Sequence, residues 1–279
     1  MEVIWFVLFA VLLVGYFALE GFDLGVGLLL PVLGRTREGR DRMVAAVAPY
    51  VLANEVWLVA VAGTLFGVYP RLEGEVLFGL YPVVVAMLLS WVLRDAGLWF
   101  RRRIDGRRWR GFWDAMIAFG SLGLSFGWGM ALYAAATGFT SSPVHPVGLM
   151  LGVVVTLLFA LHGWMFLAWR APGDFPERRV GLGSGSLRDQ AGPVGSATRS
   201  TAGRSGRALM LSGIVAALPA AGLLAGAMPY LLEHSAPAAT LNVLSLMVLP
   251  CAPIMVGAQL WVWNTFRPGK DAFRLPSFF

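Results

Sequence analysis

The fold of this chain is decided by the stretch Gly15-Tyr-Phe-Ala-Leu-Glu-Gly-Phe-Asp-Leu-Gly-Val-Gly27, which sets two acids among glycines inside an apolar run from Val3 to Leu33. An apolar segment longer than about 20 residues predicts a helix that crosses a bilayer. Acids inside such a helix are costly and mark functional positions by default. Glu20 and Asp23 are therefore the first candidates for a functional site.

The spacing of the two acids indicates which way they face. Residues three apart on a helix lie on one face, so Glu20 and Asp23 point toward the same neighbours. Gly21 and Gly25, four apart, form a seam of small residues that predicts close approach of another helix. Two interpretations remain open at this point. The carboxyl groups are structural and bond to neighbouring helices, or they belong to a path for protons or a polar substrate.

Composition predicts that the whole chain is an all-α, polytopic helical membrane protein. Of its 279 residues, 57% are hydrophobic and 14% are charged, and the mean hydropathy is +0.69. A soluble domain has fewer apolar and more charged residues. The net charge of +6 comes from arginines between the apolar runs, which favours a role in membrane topology over nucleic-acid binding. We expect a lipid bilayer, and no nucleic acid, among the partners.

Seven apolar runs predict about seven transmembrane helices, at roughly 3–33, 43–68, 76–93, 112–137, 147–169, 208–232 and 241–266. Arginine-rich segments occupy every second connection and the C-terminal tail. The alternate connections hold one arginine, Arg71. By the positive-inside rule, this distribution predicts a multi-pass protein with its N-terminus outside and its C-terminus in the cytoplasm.

These runs divide the chain into four expected parts. Residues 1–137 form a first four-helix transmembrane bundle, and residues 138–170 an external loop followed by the fifth transmembrane helix. Residues 171–206 are rich in Arg, Gly and Ser, which is typical of a flexible cytoplasmic loop. Residues 207–279 hold the last two transmembrane helices and a basic tail.

A further polar pair, Asn54 and Glu55, lies near the middle of the second run. Glu20 lies thirteen residues from the arginine-rich end of the first run, and Glu55 lies twelve from that of the second. At about 1.5 Å of rise per residue, the two acids reach nearly equal depth in antiparallel helices. We expect Glu20, Asp23, Asn54 and Glu55 to form one polar intramembrane site. The alternative is that Asn54 and Glu55 only bond across the helix pair.

Histidine placement argues against a heme or metal held by this chain alone. His145 and His234 lie in predicted external connections, and only His162 lies in a span, so two helices cannot supply a pair of buried imidazoles. Cys251 is the single cysteine, which excludes a Cys-rich metal site. No HExxH motif or nucleophile–His–acid pattern is present. We expect no bound cofactor and no complete catalytic site in this chain.

Several stretches together resemble subunit II of the cytochrome bd-type quinol oxidases. Each is weak by itself, but their order along the chain carries the resemblance, which covers residues 1–170 and, more loosely, 207–266. The matching stretches are Glu20–Gly27, Ala48-Pro49 followed by Asn54–Leu58, Arg94–Arg101, Arg108–Asp114 and Thr240–Val243.

The resemblance implies a function. It implies a non-heme subunit of a quinol:oxygen oxidoreductase in a bacterial plasma (inner) membrane, supporting a heme-bearing subunit I that carries heme b and heme d. Quinol is the substrate of such a complex, and in some members subunit II holds a quinone. The family's subunit II also contributes polar residues to a proton route. Glu20, Asp23, Asn54 and Glu55 match the polar positions of its first two helices.

Two departures from the family pattern leave alternatives open. Family members usually have Trp-Asp-Gly-Asn where this chain has Val51-Leu-Ala-Asn54, so Leu52 replaces the acid associated with proton transfer. The family has about nine helices, and the connection at 171–206 stands where two would be. One alternative is a purely structural or assembly subunit. Another, from a different class, is a proton-coupled transporter or channel.

Overall fold

The computed structural model describes residues 1–170 and 194–268, with side chains from Ser205 onward in the second range. Within these ranges the chain is helical and contains no strand, which confirms the all-α prediction. The helices are α1 (Glu2–Leu33), α2 (Arg37–Val68), α3 (Pro70–Gly79), α4 (Tyr81–Phe100), α5 (Arg107–Ala136), α6 (Pro146–Arg170), α7 (Val194–Glu233), α8 (Ala238–Val248) and α9 (Cys251–Thr265).

Seven segments of the described residues are long and apolar enough to cross a membrane. They are α1, α2, α4, α5, α6, the part of α7 from Ser205 onward, and α8 and α9 taken together. This agrees with the seven apolar runs read from the sequence. The orientation, with the N-terminus outside, stays a prediction from the arginine distribution.

The third apolar run, 76–93, does not form one helix. Its first residues complete the short helix α3, and α4 begins at Tyr81. Pro82 explains the break, because proline suits the first turn of a helix but has no N–H to donate to the carbonyl four residues before it, so α3 cannot continue through it. At its other end α4 continues to Phe100 and so carries Arg94 and Asp95 inside the span.

The last run is also divided, and the expected loop is in part helical. Pro250 lacks the N–H that would continue the helix, so α8 ends at Val248 and α9 begins at Cys251. Of the loop expected at 171–206, residues 171–193 lie outside the described part of the chain. The remainder belongs to α7, which begins at Val194. Residues 269–279 of the tail also lie outside the described part.

Helix α1 is the central helix of the bundle, packed against α2, α5, α6 and α7. A Cβ atom on Gly25 would meet the carbonyl of Phe159 in α6, and one on Gly163 would meet the backbone of Gly25. A Cβ on Gly21 would also touch the Phe159 ring. The seam predicted at Gly21 and Gly25 is thus the contact of α1 with α6.

The last span lies at the periphery and is tied to α2 by side-chain hydrogen bonds. Gln259 Nε2 of α9 donates to Asn54 Oδ1 at 2.8 Å, and the Tyr50 hydroxyl donates to the Phe266 carbonyl at 2.9 Å. These bonds hold α9 beside α2 and bring Gln259 to the polar residues of the bundle interior.

Candidate functional site

The structure places the four polar residues singled out in the sequence around a buried guanidinium. Glu20 and Asp23 come from α1, and Asn54 and Glu55 from α2, and none of them is more than 9% exposed. Arg94 of α4 is 2% exposed, and its Nη1 lies 2.8 Å from Glu20 Oε1 and 3.1 Å from Glu55 Oε1. Three helices therefore meet at one charged centre within the apolar bundle.

A chain of amide hydrogen bonds holds Asp23. Asn54 Nδ2 donates to Asp23 Oδ2 at 2.7 Å and to the carbonyl of Leu19 at 3.1 Å. Gln259 donates to Asn54 Oδ1, and Trp57 Nε1 donates to Gln259 Oε1 at 3.3 Å. Because both ends of the Asn54 amide are engaged, its nitrogen is held toward Asp23.

Three members of this site are not among the four site residues predicted from the sequence: Arg94, Asp95 and Gln259. Asp95 Oδ1 lies 3.3 Å from Arg94 Nη1, the same nitrogen that contacts Glu55. Both residues belong by sequence to an arginine-rich connection, which hides them. The signal that could find Arg94 and Asp95 is length, because a helix that has Pro82 in its first turn must continue past Arg94 to cross a bilayer.

Carboxyl groups outnumber the cation at this centre. Glu20, Asp23, Glu55 and Asp95 surround Arg94, which supplies one positive charge. Glu20 Oε2 and Asp23 Oδ1 are buried and have no hydrogen-bond partner among the described residues. Buried polar atoms are normally paired with protein or water. These two oxygens are therefore positions where a proton or an ordered water can be accommodated.

Leu52 does not join the site. Its side chain is 52% exposed on the outer surface of α2, one turn before Glu55. An acid at this position would lie on the surface of the chain and not in its interior. The replacement by leucine therefore leaves the buried cluster intact and removes a polar group from the outer face only.

His162 is occupied by protein contacts on both ring nitrogens. Nε2 lies 2.9 Å from the carbonyl of Ala18, and Nδ1 lies 2.8 Å from the Ser212 hydroxyl. The ring thereby joins α6 to α1 and α7. Within the part of the chain that the structure describes, no group of three or more His, Cys, Asp or Glu residues is placed to hold a metal ion.

A second charged network joins the arginine-rich ends of α2, α4 and α5. Arg101, only 1% exposed in its side chain, pairs with Asp114 and with Asp41. Arg40 lies 2.9 Å from the other oxygen of Asp114. Asp114 of α5 contacts Arg40 of α2 and Arg101 at the end of α4. This network therefore fixes the ends of the three helices relative to one another.

Comparison with known proteins identifies relatives of this chain. The profile of a family described as cytochrome bd terminal oxidase subunit II matches residues 1–185. Cytochrome bd ubiquinol oxidase subunit 2 of Bacillus subtilis (strain 168) is 36% identical over 186 residues, which cover 63% of this chain and 55% of the relative. Cytochrome bd-I ubiquinol oxidase subunit 2 of Escherichia coli (strain K12) is 33% identical over 190 residues, covering 63% and 50%. The chain spans about half the length of these curated relatives.

Proposed function

Because the chain belongs to the family of cytochrome bd terminal oxidase subunit II, we propose that it is the non-heme subunit of a bd-type quinol:oxygen oxidoreductase. In this assembly it supports a heme-bearing subunit I, and quinol is the substrate of the complex. The match over residues 1–185 carries the proposal, since it includes α1 to α6 and the acid cluster, which consists of Glu20, Asp23, Glu55 and Asp95. The seven apolar segments support a multi-pass location, which we assign to a bacterial plasma membrane.

The hemes b and d are assigned to the partner subunit, because the histidine that lies in a described span of this chain is not free to bind a heme iron. A histidine that serves as an axial ligand needs a ring nitrogen free to reach the iron. His162, which lies in a span, uses both nitrogens for Ala18 and Ser212. No step of the reaction is therefore assigned to a heme held by this chain.

The acid cluster is assigned a role in holding and passing protons. Reduction of oxygen to water consumes protons, and carboxyl groups inside a membrane typically mark proton paths. Arg94 cannot neutralise four carboxyl groups, and ionised acids without partners are costly in the bilayer interior. Protons bound at Glu20 and Asp23 would remove this cost, and their unpaired oxygens are the atoms that can bind them.

The family membership favours this proposal over a transporter or channel. A purely structural subunit remains the alternative within the oxidase. The observation that supports this alternative is the outward-facing side chain of Leu52, because the family pattern has an acid at this position.

The first experiment is a reduced-minus-oxidised visible spectrum of the material that co-purifies with a C-terminally tagged chain. We expect the bands of heme b and heme d, together with a second membrane subunit identified by mass spectrometry. A colourless chain that purifies without a second subunit would refute the assignment to an oxidase.

The second experiment tests the cluster in the assembled complex. Glu20→Gln and Asp23→Asn keep size and hydrogen-bonding ability but cannot release a proton. We expect severalfold slower oxygen consumption at unchanged heme content. Glu38→Gln, at the exposed start of α2, is the matched control and should leave turnover unchanged. If both cluster variants turn over at the wild-type rate, the structural alternative is preferred.

A further inference from the structure

We propose that Arg35, Arg37, Arg107 and Arg108 form a basic surface that binds the headgroup of an anionic phospholipid. The basic surface lies where the connection between α1 and α2 meets the connection between α4 and α5. Lipid binding by this chain does not depend on the proposed oxidase function, and it can be measured without oxygen consumption.

Ion pairs bring the two arginine-rich connections together. Asp105 Oδ1, in the turn after α4, lies 3.3 Å from Arg37 Nη2 at the start of α2 and 2.9 Å from Arg110 Nη2 of α5. One turn farther along α5, Asp114 Oδ2 lies 2.9 Å from Arg40 Nη1 of α2. The start of α2 and the first turns of α5 are therefore neighbours, and their exposed arginines lie at the same end of the bundle.

Positive charge exceeds negative charge at this end of the bundle. The stretches 34–42 and 101–114 contain ten arginines and four acids, an excess of six that equals the net charge of +6 of the whole chain. Three of the four acids already pair with arginines of the same two stretches. Arg35, Arg107 and Arg108 are exposed and make no ion pair with the described residues. An anionic group that approaches the basic surface therefore meets positive charges that no described acid neutralises.

The start of α5 adds to this positive charge. Its N-cap residue, Gly106, makes no side-chain hydrogen bond to the helix, and the first turn contains no acid. Arg107 and Arg108 occupy that turn, although the helix dipole disfavours cations at a helix N-terminus. A phosphate group beside this turn would interact with both arginines and with the positive end of the dipole.

Exposed apolar side chains favour a membrane lipid over a dissolved anion. Ile104, in the turn between α4 and α5, and Phe112 are each 53% exposed. The ring of Phe112 packs on Trp113, which also contacts the rings of Phe100 and Trp109. Aromatic side chains gather at the level of lipid headgroups, and arginine clusters at the ends of transmembrane helices bind anionic lipids. Both α4 and α5 are long and apolar enough to span the bilayer, so a lipid beside them can place its phosphate at the basic surface.

The test measures which lipids bind to the purified protein, together with any subunit that co-purifies with it. The protein is mixed in neutral detergent with equal amounts of phosphatidylglycerol, which is anionic, and phosphatidylcholine, which has no net charge, both with the same acyl chains. Native mass spectrometry counts the bound molecules of each lipid. We expect severalfold enrichment of phosphatidylglycerol that decreases as salt is added, because salt screens exposed charges. Equal binding of the two lipids would overturn the proposal.

Substitution of three arginines tests whether the basic surface is the binding site. The variant Arg35→Gln/Arg107→Gln/Arg108→Gln should lose at least one bound phosphatidylglycerol per complex. The variant Arg35→Lys/Arg107→Lys/Arg108→Lys should retain this lipid, because the positive charges remain. Unchanged lipid binding in the glutamine variant would contradict the proposal.

A matched control separates a local site from an effect of net charge. Arg71→Gln/Arg207→Gln/Arg267→Gln removes the same number of exposed arginines at other positions. This control should bind as much phosphatidylglycerol as the wild type. An equal loss of lipid in the control and in the glutamine variant of the basic surface would show that net charge alone attracts the lipid, and would overturn the site.

Inorganic phosphate distinguishes a lipid headgroup from a free anion. At equal ionic strength, inorganic phosphate should displace no more phosphatidylglycerol than sodium chloride does, because it has no acyl chains to contact the apolar side chains. Greater displacement by phosphate would show that the surface binds a free anion and would overturn the proposed lipid. If phosphatidylglycerol is enriched on material that lacks hemes, the proposed function fails and the lipid site stands.

Discussion

Arg94 of α4 lies 2.8 Å from Glu20 of α1, and both side chains are only 2% exposed. This ion pair joins two helices that are separated along the chain by α2 and α3. Its guanidinium also contacts Glu55 of α2, so one side chain links three spans at the centre of the bundle. Among the described residues, Arg94 is the one cation that these buried acids contact, so its removal leaves them without a positive partner.

We predict that Arg94→Gln lowers the free energy of unfolding by about 3–5 kcal/mol, because the acids then lose their cation. The measurement is the thermal unfolding midpoint of the purified complex, with the amount of chain in membranes as a second readout. Arg103→Gln, in the exposed turn after α4, is the control and should behave like wild type. The double variant Arg94→Gln/Glu20→Gln should recover part of the loss, since one unpaired acid is removed. Stability of the single variant equal to wild type would contradict the central role of Arg94.

Close packing of α1 on α6 gives a second prediction. Gly25→Ala should destabilise the protein by about 1–3 kcal/mol, because the added methyl group overlaps the backbone of Phe159 and Gly163. Gly63→Ala in α2 is the matched control, since no atom lies within 4 Å of the added Cβ. The control variant should leave the free energy of unfolding unchanged or raise it slightly, because alanine favours a helix by about 1 kcal/mol over glycine. Equal unfolding midpoints for the two variants would show that the seam is not tight.

The ion network at the arginine-rich ends gives a third prediction. Asp114→Asn removes the charge that faces both Arg101 and Arg40. Arg101 retains Asp41, so we expect a loss of about 1.5–3 kcal/mol, the range for a hydrogen bond to a charged group. Asp105→Asn, at a highly exposed acid, serves as the control. The measurement is the thermal unfolding midpoint of the two variants in detergent. A larger decrease of the midpoint in Asp105→Asn than in Asp114→Asn would contradict the prediction that the buried acid contributes more to stability.

The orientation of the chain is tested by labelling with a membrane-impermeant thiol reagent. Cys251→Ser removes the single native thiol, and new cysteines are introduced by Val144→Cys or Arg103→Cys, both at exposed positions. The positive-inside rule predicts that Val144→Cys reacts in intact cells and that Arg103→Cys reacts only after lysis. The reverse pattern would place the N-terminus in the cytoplasm.

The sequence by itself determined the membrane-spanning helices and the contact surface of α1. A bilayer about 30 Å thick requires about 20 apolar residues, and that requirement is visible in composition alone. The glycine spacing in α1 likewise indicates a close helix contact from local periodicity. The break between α3 and α4 is also readable in retrospect, because it depends on a single residue, Pro82.

Only the tertiary structure decided which charges meet. Arg94 and Asp95 belong by sequence to an arginine-rich connection, yet α4 carries them into the bundle beside Glu20 and Glu55. Gln259 reaches Asn54 from the last span. Such pairings depend on how helices far apart in the chain are packed and on how far each side chain extends. Hydrophobic periodicity sets which segments enter the membrane, but it contains no information about the partner that each buried charge will find.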